Sequence, residues 1–192
     1  MGGYTYLVAS LPTLRPGEAG GLTAEQFRFR CQGVLDAADL KELDAVLSGR
    51  PWEGTCRFCK EWADAEVQLR NSVAKARGAK LGVDAKPFLR SHGGYRVWLD
   101  RAVAEALAKP NPLECEVALD EARWQVADDL AQADARGLDA VLAFAAKLKL
   151  AERWEGMKEE TGREKLEELV GRLEADAAAS GATDFKEEGG NQ

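Results

Sequence analysis

The densest cluster of reactive side chains in this sequence is "CRFC", Cys56 to Cys59. Thiolates at that spacing can bind zinc or exchange a disulfide. A structural zinc site takes four ligands, usually as two close pairs. The other thiols, Cys31 and Cys115, and the lone His92 are all isolated in sequence, so the ligand set is incomplete. A thioredoxin-type CxxC belongs with a βαβ pattern, which this chain lacks. The spacing predicts Cys59 on the core stripe of a helix and Cys56 near its cap, both as small, semi-apolar packing residues. A CxxC metal or redox protein stays open as an alternative, separable by zinc content and thiol reactivity.

His92 in "RSHGGY" is the one histidine. A general base needs a nucleophile to serve and a group to orient it. No such partner stands near it in sequence, and it reads as a loop histidine. The glycines form neither G-x-x-x-x-G-K-[ST] nor G-x-G-x-x-G, so the chain is not expected to hydrolyse nucleotide itself. No catalytic, cofactor-binding or metal-ligating residue is assigned, and no cofactor is expected.

Two basic patches are candidates for a partner interface. Lys75, Arg77 and Lys80 lie in "KARGAK", and Lys147, Lys149 and Arg153 in "KLKLAER". Such runs are commonly solvated helix faces, but they can also meet an acidic partner surface. The tryptophans Trp52, Trp62, Trp98, Trp124 and Trp154 divide between core and interface anchors, and sequence alone does not sort them.

The elements that position these residues read as helices. Thr23 and Gln26 make a capping box before Phe27, Cys31, Val34 and Leu35. Asp36 caps a helix carrying Leu40, Leu43 and Leu47, which stops at Gly49 and Pro51. Thr55 is the expected cap of a long helix bearing Cys59, Trp62, Glu66, Leu69, Val73 and Ala76, loosened by Gly78 and Gly82. "VDAKPFLRSHGGY" reads as a connection, broken by Pro87 and Gly93-Gly94. "RVWLDRAVAEALAK" is helical. Asn111-Pro112 starts a helix expected to reach Arg136 with Gly137 after it, and "LDAVLAFAAKLKLAERWEGM" follows as its antiparallel neighbour. A third capping box at Thr161 to Glu164 opens a helix ending near Ala179. The polar tail 180–192 is expected to fray.

The fold class expected is all-α, with antiparallel helices in two small lobes, residues 1–82 and 83–179. Hydrophobic residues make up 45% of the 192, enough for a core, while alanine is abundant and strand-favouring residues are sparse. The net charge of −7 argues against nucleic acid as a partner. The one stretch compatible with a strand is "YTYLVASL" near the N-terminus. It has no basic n-region and is far short of the roughly 20 residues that span a bilayer. It is read as a buried first segment of a cytoplasmic protein, in which the cysteines are reduced.

The order of the segments carries a family resemblance. "WADAEVQLRNSVAKARGAKLG" resembles a helix of the V/A-type ATPase central-stalk C subunit, called d in eukaryotes, through Asp64, Ala65, Leu69, Arg70, Lys75 and Gly78. "PFLRSHGGYRVWLDRAVAEAL" looks like that family's Phe-Leu, Gly-Gly and helix step. "GLDAVLAFAAKLKLAERWEGM" looks like its late helix, through Val141, Leu142, Ala143, Phe144 and Arg153. The three occur in family order over about half the chain. "YTYLVASLP" with "FRFRCQGVL" resembles the start of a small bacterial family encoded among V-type ATPase subunits, in which a separate C subunit tends to be missing. The C subunit itself is longer and has three helical lobes, where this chain can hold two.

The resemblance implies a non-catalytic rotor part of a proton- or sodium-translocating ATPase. Its partners would be the D and F axle subunits and the membrane proteolipid ring, and it would be peripheral on the cytoplasmic face of the membrane. A helical adaptor of another assembly shares the same composition and differs in what co-purifies.

Overall fold

In a computed structural model of the chain, residues 4–16, 21–155 and 159–181 are described. They form eight α-helices and no strand, an all-α fold as the composition predicts. The helices are α1 (Thr5–Ala9), α2 (Ala24–Gln32), α3 (Ala37–Leu47), α4 (Arg57–Leu81), α5 (Val97–Leu107), α6 (Pro112–Ala131), α7 (Leu138–Glu155) and α8 (Glu159–Gly181). Short 3-10 turns cover Pro51–Glu53, Lys86–Phe88 and Gln132–Asp134. No helix among the described residues is long and apolar enough to cross a membrane.

Residues Met1–Arg153 form one compact unit, and Trp154–Gln192 a second. The boundary expected at residue 82 therefore does not divide the fold. Helix α4 packs on both α5 and α6 across it, and one core cluster runs from α1 through α7. Helix α7 contributes the longest unbroken buried run to that cluster. Val141, Leu142, Ala143, Phe144, Ala145 and Ala146 are consecutive and all buried. Six successive residues point to every side of a helix, so α7 is surrounded by neighbours over that stretch. Phe144 packs on Phe27 of α2 with ring centroids 4.7 Å apart.

Several helix starts follow from capping chemistry. The Thr23 hydroxyl accepts from the Gln26 N–H at 3.2 Å, and the Gln26 side chain accepts from the Thr23 N–H at 3.1 Å. Asp36 accepts from the N–H groups of Ala38 and Asp39. Asn111 accepts from the Leu113 N–H, with Pro112 at the first helical position.

Four further expectations are corrected in this unit. The N-terminal stretch is helix α1, with Leu7 buried and the Tyr4 hydroxyl donating to Asp39. A strand there would have no neighbour to pair its backbone groups, whereas a helix satisfies them internally. The cap of α4 is Cys56 rather than Thr55, because Thr55 is held by Glu42 of α3. Gly78 does not loosen α4. The helix continues past it to a left-handed cap at Gly82, and the Val83 N–H returns to the Gly78 carbonyl at 2.9 Å. A Cβ at Gly78 would lie 2.7 Å from the Val83 carbonyl oxygen, so the glycine permits this close return. Helix α6 stops at Ala131 and tightens into a 3-10 turn instead of reaching Arg136.

In the second unit α8 begins two residues before Thr161 and runs to Gly181, past Ala179. It exposes Leu166, Leu169, Val170 and Leu173 at helical spacing. Met157 and the tail from 182 onward lie outside the described residues.

Candidate functional site

Helix α4 carries Asp64, Gln68 and Asn71, spaced so that all three lie along one side of the helix. Each grips the backbone of the segment between α4 and α5. The Asn71 side chain donates to the Arg90 carbonyl at 2.7 Å and accepts from the Arg90 N–H at 3.0 Å. Gln68 does the same with Arg96, at 2.7 and 2.9 Å. Asp64 accepts from the Gly93 N–H at 2.8 Å. A Cβ at Gly93 would come within 2.7 Å of the Asp64 carboxylate, so only glycine allows that approach without a shift. Asp100 of α5 completes the ladder, accepting from Gln68, Ser72 and Tyr95. Burial pushes the Asp100 carboxyl up, but those three hydrogen bonds outweigh it and hold it below the usual carboxylate range.

This ladder fixes Arg90 at the mouth of a cleft of about 560 Å³. Helix α4 supplies Trp62, Asp64, Glu66, Val67 and Arg70 to its wall, and Trp52 comes from the turn before α4. Arg123 comes from α6, and Lys149, Leu150 and Arg153 from α7. Five cations line it (Arg70, Arg90, Arg123, Lys149, Arg153) against two carboxylates, in a chain whose net charge is −7. A smaller pocket shares Val67, Arg70 and Arg90 and extends the surface to Phe88. Trp52 is 64% exposed and Phe88 69%.

The cations differ in how they are held. Arg123 is partly buried between Glu66 at 2.8 Å and Asp120 at 2.7 Å. Burial alone would lower its pKa, yet the two carboxylates raise it, so it stays charged. Arg153 bridges Asp120 at 2.9 Å and Glu116 at 3.0 Å. Lys149 pairs with Glu152 at 2.8 Å. Arg70 reaches only the far side of Glu66, at 3.8 Å. The Arg90 side chain has no carboxylate partner among the described residues. The floor of the cleft is thus an ion-pair chain, and its rim presents Arg70 and Arg90 beside exposed aromatics. Such a surface is suited to an acidic partner segment with an apolar edge.

Of the sequence-predicted interface residues, the structure brings Lys149 and Arg153 to this cleft. Lys147 turns away from it, pairing with Asp128 and standing 5.2 Å over the Trp124 ring on α6. Lys75, Arg77 and Lys80 lie toward the far end of α4. The Lys80 amine donates to the Leu107 carbonyl at 3.0 Å, at the last turn of α5. The six therefore do not form one patch. His92 stays in the 90–96 turn, its Nδ1 3.4 Å from the Gly93 carbonyl. No sequence signal joins Arg90, Arg123, Trp52 and Phe88 as parts of one site. The local hint is charge pairing at helical spacing, as in Glu66 with Arg70 and Asp120 with Arg123.

Residues 97–177 match a protein family described as "Protein of unknown function (DUF2764)". No curated protein and no solved structure matches the chain.

Proposed function

We propose that the chain is a non-catalytic component of a V/A-type proton- or sodium-translocating ATPase, similar to the central-stalk C subunit and linking the rotor axle to the membrane proteolipid ring. One observation carries the reading. The three segments that resemble the C subunit converge on a single cleft: α4 gives Asp64 and Arg70, the following segment gives Arg90, and α7 gives Lys149 and Arg153. Residues far apart in the chain that resemble one family and line one surface are better explained by a shared partner than by helix grammar alone.

The mechanical requirement is stiffness, because a compliant spacer stores work instead of transmitting it. The carboxamide ladder meets that requirement where the chain between α4 and α5 would otherwise be loose. The ion-pair chain from Glu66 through Arg123 and Asp120 to Arg153 ties α4, α6 and α7 together at the cleft floor. In this reading the rim residues Arg70, Arg90, Trp52 and Phe88 receive an acidic helix end of the axle, and the chain is peripheral to the membrane through its protein contacts.

The test is purification of the tagged chain from native membranes after mild cross-linking, with the bound proteins identified. The D and F axle subunits or the proteolipid should be captured. The Arg70→Glu/Arg90→Glu variant should lose that capture while keeping its melting temperature. Truncating a partnered interface charge costs about 2–5 kcal/mol of binding, whereas surface charge changes move stability by about half a kcal/mol. Capture of an unrelated assembly in place of ATPase subunits would overturn the proposal and favour the general adaptor.

A further inference from the structure

Cys56 and Cys59 sit where α3 meets the start of α4. Cys56 is the N-cap of α4, and its Sγ accepts from the Cys59 N–H at 3.4 Å. Cys59, at the third helical position, is fully buried, and its thiol donates to the Glu42 carbonyl at 3.8 Å. The two sulfurs and a Glu42 carboxylate oxygen lie within 4.8 Å of one another. A Cβ on Gly54 would come within 2.6 Å of the Cys59 sulfur, so the backbone is packed directly over it.

We infer that Cys56 and Cys59 form a redox-active dithiol, in which the partly exposed Cys56 is the attacking thiol and the buried Cys59 resolves it into an intrachain disulfide. The assignment is independent of the assembly reading above. Three observations support it. The N-terminal end of a helix favours a thiolate over a thiol at the cap. The nearby Cys59 thiol, and then the hydrogen bond from the Cys59 N–H, hold Cys56 below the ordinary cysteine value against burial and the Glu42 charge. The same pairing, with burial, pushes Cys59 up. The two thiols are thus split into a nucleophile and a protonated reserve. An N-cap and the third helical residue are also one turn apart, roughly 5–6 Å between Cα atoms, inside the range a disulfide bridges.

A metal centre is the competing use of the same atoms. Glu42 argues against it. Its two carboxylate oxygens already accept from the Thr55 N–H, the Thr55 hydroxyl and the Cys56 N–H. A metal would have to displace this cap on the chain entering α4.

With hydrogen peroxide as oxidant, the Cys56 thiolate attacks one peroxide oxygen. An S–O bond forms, the O–O bond breaks, and the departing hydroxide takes up a proton to leave as water. The Cys59 sulfur then attacks the Cys56 sulfur, its proton leaving with the expelled hydroxide as a second water. Two thiols and one peroxide give one disulfide and two waters.

The experiment uses the full chain, reduced and then treated with a small excess of hydrogen peroxide. Tryptic peptides are then analysed by mass spectrometry. The peptides bearing Cys56 and Cys59 should be joined with loss of two hydrogen atoms, reversibly with dithiothreitol. In Cys59→Ser, Cys56 should stop at a sulfenic acid that dimedone traps. Before oxidation, iodoacetamide should label Cys56 several-fold faster than Cys115, which is also partly buried. Each unit of pKa lowering raises the rate below the pKa roughly threefold after the loss of nucleophilicity is counted. Labelling of Cys56 no faster than Cys115, or oxidation that leaves the pair unjoined, would overturn the dithiol. Stoichiometric zinc in the purified chain, released when Cys56 is alkylated, would replace it with a metal site.

Discussion

Arg123 is the residue on which the cleft floor depends most. Its side chain is 15% exposed and lies between Glu66, 19% exposed, and Asp120, 4% exposed. Arg123→Met keeps most of the aliphatic stem and removes the charge. Asp120 then retains Arg153 at 2.9 Å, but Glu66 is left with Arg70 at 3.8 Å. Removing one partner of a buried pair costs about 3–5 kcal/mol, chiefly because the remaining charge stays desolvated. Since each carboxylate keeps one cation, a loss of about 2–3 kcal/mol is expected. With a urea slope of about 2 kcal/mol per molar, the unfolding midpoint should fall by about 1–1.5 M.

The origin of that loss is tested by the double variant Arg123→Met/Glu66→Met. It removes the carboxylate left with only the distant Arg70, so it should be less destabilised than the two single variants add up to, by about 1 kcal/mol or more. Urea unfolding followed by far-ultraviolet circular dichroism measures all three. A shift below about 0.3 M for Arg123→Met would mean that solvent screens the network like an exposed pair, near or below about 1 kcal/mol. Full additivity in the cycle would refute the coupling of α4 to α6 through this pair.

Asn71→Leu should strand the Arg90 N–H and carbonyl and cost about 2–3 kcal/mol, with faster proteolysis between residues 82 and 96; Asn71→Asp, which keeps the acceptor, should lose less. Burial pushes Glu42 up, but hydrogen bonds from Thr55 and Cys56 outweigh it and hold its carboxyl down at about 2. Its stabilising contribution is therefore full above its ordinary value near 4.5 and is lost as pH falls through about 2. After solvent screening this amounts to about 1–2 kcal/mol, which Glu42→Gln should remove from a pH–stability profile. Reversal of Lys75, Arg77 and Lys80 to glutamate should change melting little except through the lost Lys80 bond to Leu107, and if assembly is also unchanged that patch is only a solvated face.

Helix content and most helix starts were legible because their causes are local. Thr23 with Gln26, Asp36, and Asn111 with Pro112 act within three residues, and the structure keeps each as expected. The shifted cap at Cys56 was not legible, because Glu42, far back on α3, decides which residue stays outside the helix. The cleft was legible only in part. Lys149 and Arg153 belong to a recognisable basic run, but Trp52, Arg90 and Arg123 come from three different segments, and no spacing rule joins them.

The segment from Val83 to Arg96 shows why composition misleads about domain boundaries. With Pro87, Gly93 and Gly94 it reads as a linker, and the two-lobe division followed from that reading. A linker leaves its peptide groups to water. Here the N–H and carbonyl of Arg90 and of Arg96 are paired by buried carboxamides, and Gly93 is pressed against Asp64. The deciding signal lay on the preceding helix. Gln68 and Asn71 fall beside the apolar stripe of Trp62, Ala65 and Leu69, at positions that burial makes costly for an unpartnered amide. Two carboxamides at a helix's buried edge require backbone partners, and the irregular chain that follows is the nearest source of them. Carboxamides on the edge of a core stripe, read together with the glycine-bearing segment after the helix, therefore separate a clamp from a hinge where composition does not.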